Sequence, residues 1–109
     1  MIESLLGSKN RERVLLFLHV RDEGYAREIS RFYKTDLSQI QKQLERLEIG
    51  NIVYSKTLGK TRVYSLNPRY PFLLELKALL DKVLSFYPTD ELEKLTHTRK
   101  RPRRKGKPL

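Results

Sequence analysis

The stretch TDLSQIQKQLERLEIGNIVYSKTLGKTRVYSL, residues 35–66, holds an apolar stripe and then two alternating runs that meet at Leu58-Gly59-Lys60. Leu37, Ile40, Leu44 and Leu47 fall at i, i+3, i+7 and i+10, which lines them along one side of a helix at about 100° per residue. Asp36 stands at the N-cap position with Gln39 three residues on, the spacing of a capping box. The same rotation turns Ser38, Gln39, Lys42 and Arg46 away from the leucines, with Gln43 and Glu45 at the margins. These side chains are of the types that reach nucleic acid. Glutamine pairs bidentately with adenine, Arg and Lys pair with guanine, and serine accepts several partners. An ordinary solvated helix face would carry a similar composition.

The segment C-terminal to this helix separates DNA reader from solvated face. IVYSKTL and TRVYSLN are strand-like, rich in β-branched and aromatic residues, and Gly59-Lys60 supplies the turn of a two-stranded hairpin. Lys56, Lys60 and Arg62 lie near its tip, and Ile52, Val53, Tyr64 and Leu66 near its base, where they can close over the helix. A basic hairpin beside a polar-faced helix can touch adjacent parts of one duplex.

Upstream, Ser8 is placed to cap a helix from Lys9 to about His19, with Val14, Leu15, Phe17 and Leu18 on its buried side. YAREISRFY, residues 25–33, predicts a second, short helix, and Lys34-Thr35-Asp36 leaves only a tight turn before the third. Two helices joined so closely, then a hairpin, define a helix-turn-helix with a wing.

The chain has 109 residues, room for one domain with a modest core. No run approaches the roughly 18 apolar residues of a membrane span and no signal-peptide pattern opens the chain, so a cytoplasmic location is expected. The absence of cysteine excludes disulfides, thiolate metal sites and thiol nucleophiles, and two distant histidines cannot by themselves hold a metal. Neither histidine has a triad-like neighbour, and no Gly-rich phosphate loop or nucleophile motif is present, so no enzyme and no cofactor are expected.

The formal charge of +10 is unevenly spread. Residues 31–69 carry eight basic and three acidic side chains, and the tail RKRPRRKGKPL, residues 99–109, carries seven basic and none acidic. Clustered cations release condensed counterions on meeting a phosphate backbone, which points to a polyanionic partner. In the tail, Arg99, Lys100, Arg101, Arg103, Arg104, Lys105 and Lys107 would bind without sequence preference, or would serve only to keep the chain soluble.

Residues 7–70 resemble a winged helix-turn-helix domain of the ArsR-like prokaryotic transcriptional regulators. GSKNRERVLLFL is similar to the first helix of that group, YAREISRFYKTDLSQIQKQLERL to its helix-turn-helix, and GNIVYSKTLGKTRVYSLNPRYP to its wing with a Tyr-x-Leu-Asn-Pro exit. The resemblance implies that the helix from Leu37 to about Ile49 enters the major groove and that the hairpin around Gly59 meets flanking phosphate or minor groove. Two positions depart from the pattern: Lys34 replaces a frequent turn glycine, and Asn51 replaces the glycine that usually closes the recognition helix. The metal-sensing branch relies on cysteine or clustered His and carboxylate ligands, so metal sensing is not carried over.

After the wing, PFLLELKALLDKVLSFY, residues 71–87, places Phe72, Leu76, Leu79, Val83 and Phe86 on one stripe and Leu73, Leu80, Leu84 and Tyr87 on a neighbouring one. One stripe serves the core and the other predicts a homodimer interface through Phe72, Leu76, Leu80, Val83, Leu84 and Tyr87, unless PTDELEKLTH folds back to cover it.

The expected protein is mainly α with a small β-hairpin: a winged helix-turn-helix over 1–70, a helical dimerisation segment over 71–98 and a disordered basic tail over 99–109. The expected function is sequence-specific binding of double-stranded DNA through Ser38, Gln39, Lys42, Gln43 and Arg46 with the wing cations, as a transcriptional regulator that represses by occluding a promoter. Two alternatives carry other consequences: a winged-helix interaction module that partners a separately encoded enzyme or toxin, or a sequence-indifferent nucleic-acid binder driven by the tail.

Overall fold

The computed structural model describes residues 1–97, and the basic tail residues Arg99 to Leu109 lie outside them. The element order is α1 (Glu3–Leu6), α2 (Lys9–Arg21), β1 (Gly24–Tyr25), α3 (Ala26–Tyr33), α4 (Leu37–Ile49), β2 (Val53–Leu58), β3 (Thr61–Leu66), α5 (Leu73–Leu84) and α6 (Thr89–His97). This is a winged helix-turn-helix: mainly helical, with an antiparallel hairpin and C-terminal helices.

The Ser8 hydroxyl accepts from the Arg11 amide at 3.2 Å, capping α2 as its sequence predicts. Val14, Leu15, Leu16, Phe17 and Leu18 are all buried, because helices surround α2 on several sides and β3 lies against it. Ile29 from α3, Ile40, Leu44 and Leu47 from α4, and Val53 and Tyr64 from the hairpin complete that side of the core.

Three non-glycine residues take left-handed backbone: Asp22, Lys34 and Asn51. Lys34 (φ 53°) closes α3, and the Ser30 hydroxyl steadies the turn by donating to the Thr35 carbonyl at 3.1 Å. The helix-turn-helix geometry is thus reached without the glycine that the resemblance would place there. Asn51 (φ 63°) ends α4, with Ile52 N–H donating to the Leu47 carbonyl and Asn51 N–H to that of Glu48, the hydrogen bonds of a Schellman motif. Gly59 (φ 64°) opens the two-residue loop between Leu58 and Thr61, as a type II′ hairpin turn requires.

Three expectations change. The capping box at Asp36 does not form; its carboxylate accepts from the Ser38 hydroxyl at 2.9 Å instead. The sheet is three-stranded, in the order β1-β3-β2, because Gly24 and Tyr25 pair with Tyr64 and Val63 and so add a short strand ahead of α3. On α5, Leu80 and Val83, expected at a dimer interface, are 0% and 3% exposed within a single chain. They face α2, and α6 folds back beside them: Leu95 is buried, and the Arg21 Nε donates to its carbonyl at 2.9 Å. The apolar stripe centred on Leu80 belongs to the chain's own core, in which Leu76, Leu84 and Tyr87 also take part as half-buried members.

Candidate nucleic-acid interface

Helix α4 is held by its leucine stripe, and its polar side chains divide into three strips. Ser38, Lys42, Glu45 and the 81% exposed Ile49 run along the outward strip. Gln39 and Arg46 are exposed on one flank, while Gln41 and Glu48 lie on the flank toward the hairpin. Gln43, expected among the DNA-reading residues, does not point outward. It is 5% exposed and its Oε1 accepts from the Arg11 Nε at 3.0 Å. The margin of the leucine stripe is closed there by the first turn of α2, so Gln43 ties α4 to α2.

The hairpin is locked to α4 by a polar seam. The Ser55 hydroxyl donates to Glu48 Oε2 at 2.7 Å, Arg62 donates to the Ser55 hydroxyl at 3.3 Å, and the Arg62 guanidinium lies 4.0 Å from Glu48 Oε1. At the base of the hairpin, Asn67 Nδ2 donates to the Asn51 carbonyl at 2.9 Å and its amide to that of Ile52 at 2.8 Å. Register separates the basic wing residues. Arg62 pairs opposite Thr57 on the face that carries Ser55 and Tyr64, whereas Lys56 pairs opposite Val63 on the other face. Lys56 and Arg62 therefore point to opposite sides, and Lys60 occupies the turn between the strands.

Between α3, α4 and the tip of the hairpin lies an open groove of about 530 Å³. Arg27 and Arg31 line it from α3, Gln41 from α4, and Lys60 and Arg62 from the wing, with Tyr25 and Tyr64 contributing rings. No acidic residue is among its lining. Burial, with the Glu48 carboxylate beside it, makes the Tyr64 hydroxyl less acidic than an ordinary tyrosine. Sequence reading missed Arg27, Arg31 and Gln41. Arg27 and Arg31 at i and i+4 share one helix face, a signal present in the sequence but meaningful only once β1 has set where α3 begins.

Phe72 (62% exposed) just before α5, Leu74 on it and Phe86 (65% exposed) just after it are large apolar residues that face solvent. Phe72 and Phe86, with half-buried Leu79 midway between them, recur at seven-residue intervals and form an outward stripe beside the buried one. Among the described residues, no helix is long and apolar enough to cross a membrane, and no three His, Cys, Asp or Glu residues are grouped as metal ligands would be.

No protein-family model matches the chain, and no curated protein matches it. Solved structures do. The chain is similar to the YusO protein from Bacillus subtilis, with a TM-score of 0.58 and 21% identity, over 90% of this chain and 77% of that one. It is also similar to a mutant of ZitR from Lactococcus lactis in apo form, with a TM-score of 0.55 and 17% identity, over 89% of this chain and 88% of that one. These likenesses show a shared winged-helix fold.

Proposed function

We propose that the chain is a sequence-specific double-stranded DNA-binding transcriptional regulator, ArsR-like among winged-helix proteins, that represses by occupying a promoter. The observation that carries this reading is the exposed side of α4, with Ser38 and Lys42 on its outward strip and Gln39 and Arg46 on its flank, joined to a basic wing by the Glu48–Ser55–Arg62 seam and bordered by a groove whose lining holds cations and no acid. Base reading is assigned to Gln39, Lys42 and Arg46, with Ser38 at the helix start, while Lys60 and Arg62 meet the flanking duplex. The tail cations add sequence-independent affinity. Division of labour at residue 70 is one of role, since residues 71–97 share their core with α2.

The working form is a homodimer. Its interface is the outward stripe of Phe72 and Phe86, with half-buried Leu79, Leu76, Leu84 and Tyr87 between and beside them. A two-fold axis there would present two recognition helices to a palindromic site with half-sites about one helical turn, or a multiple of it, apart. The same exposed phenylalanines also favour a second reading, in which α5 docks a separately encoded protein.

A duplex selected from a random pool, titrated against its scrambled counterpart, tests the main reading. Gln39→Ala and Lys42→Ala should each lose about 1 to 3 kcal/mol on the selected duplex and much less on the scrambled one. Selection that returns no shared motif would remove sequence specificity from the proposal.

A further inference from the structure

Four acidic residues, Glu28, Asp36, Glu45 and Glu48, lie between Tyr25 and Leu66, the span of the helix-turn-helix and its wing. Three of them accept hydrogen bonds within the fold: Glu28 from the Tyr25 amide, Asp36 from the Ser38 hydroxyl and Glu48 from the Ser55 hydroxyl. Glu45 alone has neither a hydrogen bond nor an ion pair among the described residues. It is exposed, and it stands on the outward strip of α4 between Lys42 and Ile49. The fold itself does not ask for a carboxylate there. Glu48 follows three residues on, a like charge at a neighbouring position, and both lie toward the end of α4 where the helix dipole disfavours negative charge. On a strip proposed to face a polyanion, a carboxylate is also repelled by the phosphates it approaches. An amino group on a base edge reverses that repulsion.

We infer that Glu45 is a specificity-determining residue whose carboxylate accepts a hydrogen bond from the N4 amino group of a cytosine in the major groove. The inference rests on the DNA-binding reading and adds to it the identity of one base. A carboxylate has two acceptor oxygens and no donor, so it is repelled by O6 and N7 of guanine and by O4 of thymine. Adenine sets its N7 acceptor beside its amino group, whereas cytosine offers an amino group with no acceptor of its own base next to it. Lys42 stands three residues before Glu45 on the same strip, a rise of about 4.5 Å against about 3.4 Å between base pairs. A donor and an acceptor spaced in this way meet neighbouring base pairs, Lys42 on guanine and Glu45 on cytosine. The charge also acts against wrong sites: where the cytosine is missing, the carboxylate weakens binding instead of merely failing to strengthen it.

The test uses the full chain and the selected duplex, with each base pair replaced in turn, and the variants Glu45→Ala, Glu45→Gln and Glu45→Asp. For the wild type, replacing the contacted cytosine–guanine pair by thymine–adenine should weaken binding by about tenfold or more, because an acceptor then faces the carboxylate. Glu45→Ala should be indifferent to that replacement and keep the wild-type response at the other pairs. Glu45→Ala and Glu45→Gln should both bind the scrambled duplex more tightly than the wild type does, since the repulsion is gone. Glu45→Asp keeps the charge but withdraws it by one methylene, so it should match the wild type on the scrambled duplex and lose affinity on the selected one. Lys42→Ala should lose its response at the neighbouring pair and keep it at the cytosine.

If the wild type and Glu45→Ala respond alike to every base-pair replacement, or differ at a pair that holds no cytosine, the assignment falls and the DNA-binding reading stands. Equal binding of the scrambled duplex by the wild type and Glu45→Gln likewise overturns it. A selection that returns no shared motif, or a wild type that binds no duplex at low salt, removes the specific reading and this inference together. Glu45 is exposed and unbonded among the described residues, so the variants are expected to keep the wild-type circular dichroism spectrum and melting temperature.

Discussion

Glu48, near the end of α4, accepts a hydrogen bond from Ser55 on the first strand of the wing at 2.7 Å, and through Ser55 it also fixes Arg62 on the second strand. One carboxylate therefore ties the helix proposed to read bases to both strands of the hairpin proposed to meet the flanking duplex. Replacing Glu48 by alanine frees both the hydroxyl and the guanidinium. The expected outcome is a stability loss of about 0.5 to 1.5 kcal/mol, with amide exchange in β2 and β3 faster than elsewhere. Glu48→Gln keeps an acceptor for Ser55 and should recover most of the protection, which hydrogen-exchange mass spectrometry can measure.

Burial divides the residues of α5 into two classes with opposite mutational signatures. Leu80→Glu would place a carboxylate at a position with no solvent exposure and should unfold the chain, since an unpaired charge in a core costs several kcal/mol. Phe86→Glu and Phe72→Glu fall on the outward stripe and should leave the melting temperature of the isolated fold nearly unchanged while splitting the proposed dimer. Sedimentation velocity at micromolar concentration distinguishes these outcomes. A wild type already monomeric there would remove the outward stripe as an interface.

Gly24 has an ordinary backbone conformation, yet a Cβ built on it would lie 2.7 Å from Phe17 Cε1. Gly24→Ala should therefore cost about 1 to 3 kcal/mol by overpacking. Phe17→Leu alone is also destabilising, but in the double variant the leucine makes room for the new methyl. The two costs should sum to more than the double variant shows, and a thermodynamic cycle from urea denaturation gives the coupling.

The Tyr33 hydroxyl is buried and has no hydrogen-bond partner among the described residues, and its acidity is suppressed chiefly by that burial, with Tyr87 adding to it. A phenol raised above its ordinary value of 10.0 favours the folded state fully at lower pH and withdraws that contribution as pH climbs past that value. Stability should accordingly fall above about pH 10. Tyr33→Phe deletes an unsatisfied group, so it should match or exceed the wild type at pH 7 and lose less between pH 9 and 11. Some alkaline loss should persist, because burial also raises Tyr87 and Tyr64. Thermal melts across that range report both effects.

Gln43 shows where sequence and structure part. The helix from Leu37 to Ile49 is legible because four leucine-type residues repeat at helical spacing, and the wing is legible because Gly59-Lys60 interrupts two β-rich runs. Gln43 sits at the margin of the stripe, where rotation alone leaves its side open; the long reach of Arg11 from another helix decides it. Leu80 and Leu76 are ambiguous for the same reason, since periodicity shows that a helix has two apolar stripes but not which one α2 and α6 claim. The groove is least visible. Its walls come from three segments distant in sequence, and no local pattern links Arg31 to Lys60. Gln43→Ala should therefore lower stability by about 1 to 2 kcal/mol with no change in discrimination between duplexes, the reverse of Lys42→Ala. Urea denaturation and the paired duplex titrations measure the two quantities.

The pairing of Gly24 and Tyr25 with Tyr64 and Val63 spans the entire helix-turn-helix. A lone hairpin is marginal in water, and a strand recruited from so far along the chain repays its loop-closure entropy only after the intervening helices have found their places. Assembly therefore has an order: α2, α3 and α4 condense around Phe17, Ile40 and Leu44, and the three-stranded sheet zips onto them afterwards. In the native ensemble the same order runs backwards. The tip of the hairpin, beyond the core contacts of Val53 and Tyr64, is expected to open at lower free energy than its base, which Glu48 and Ser55 hold to α4.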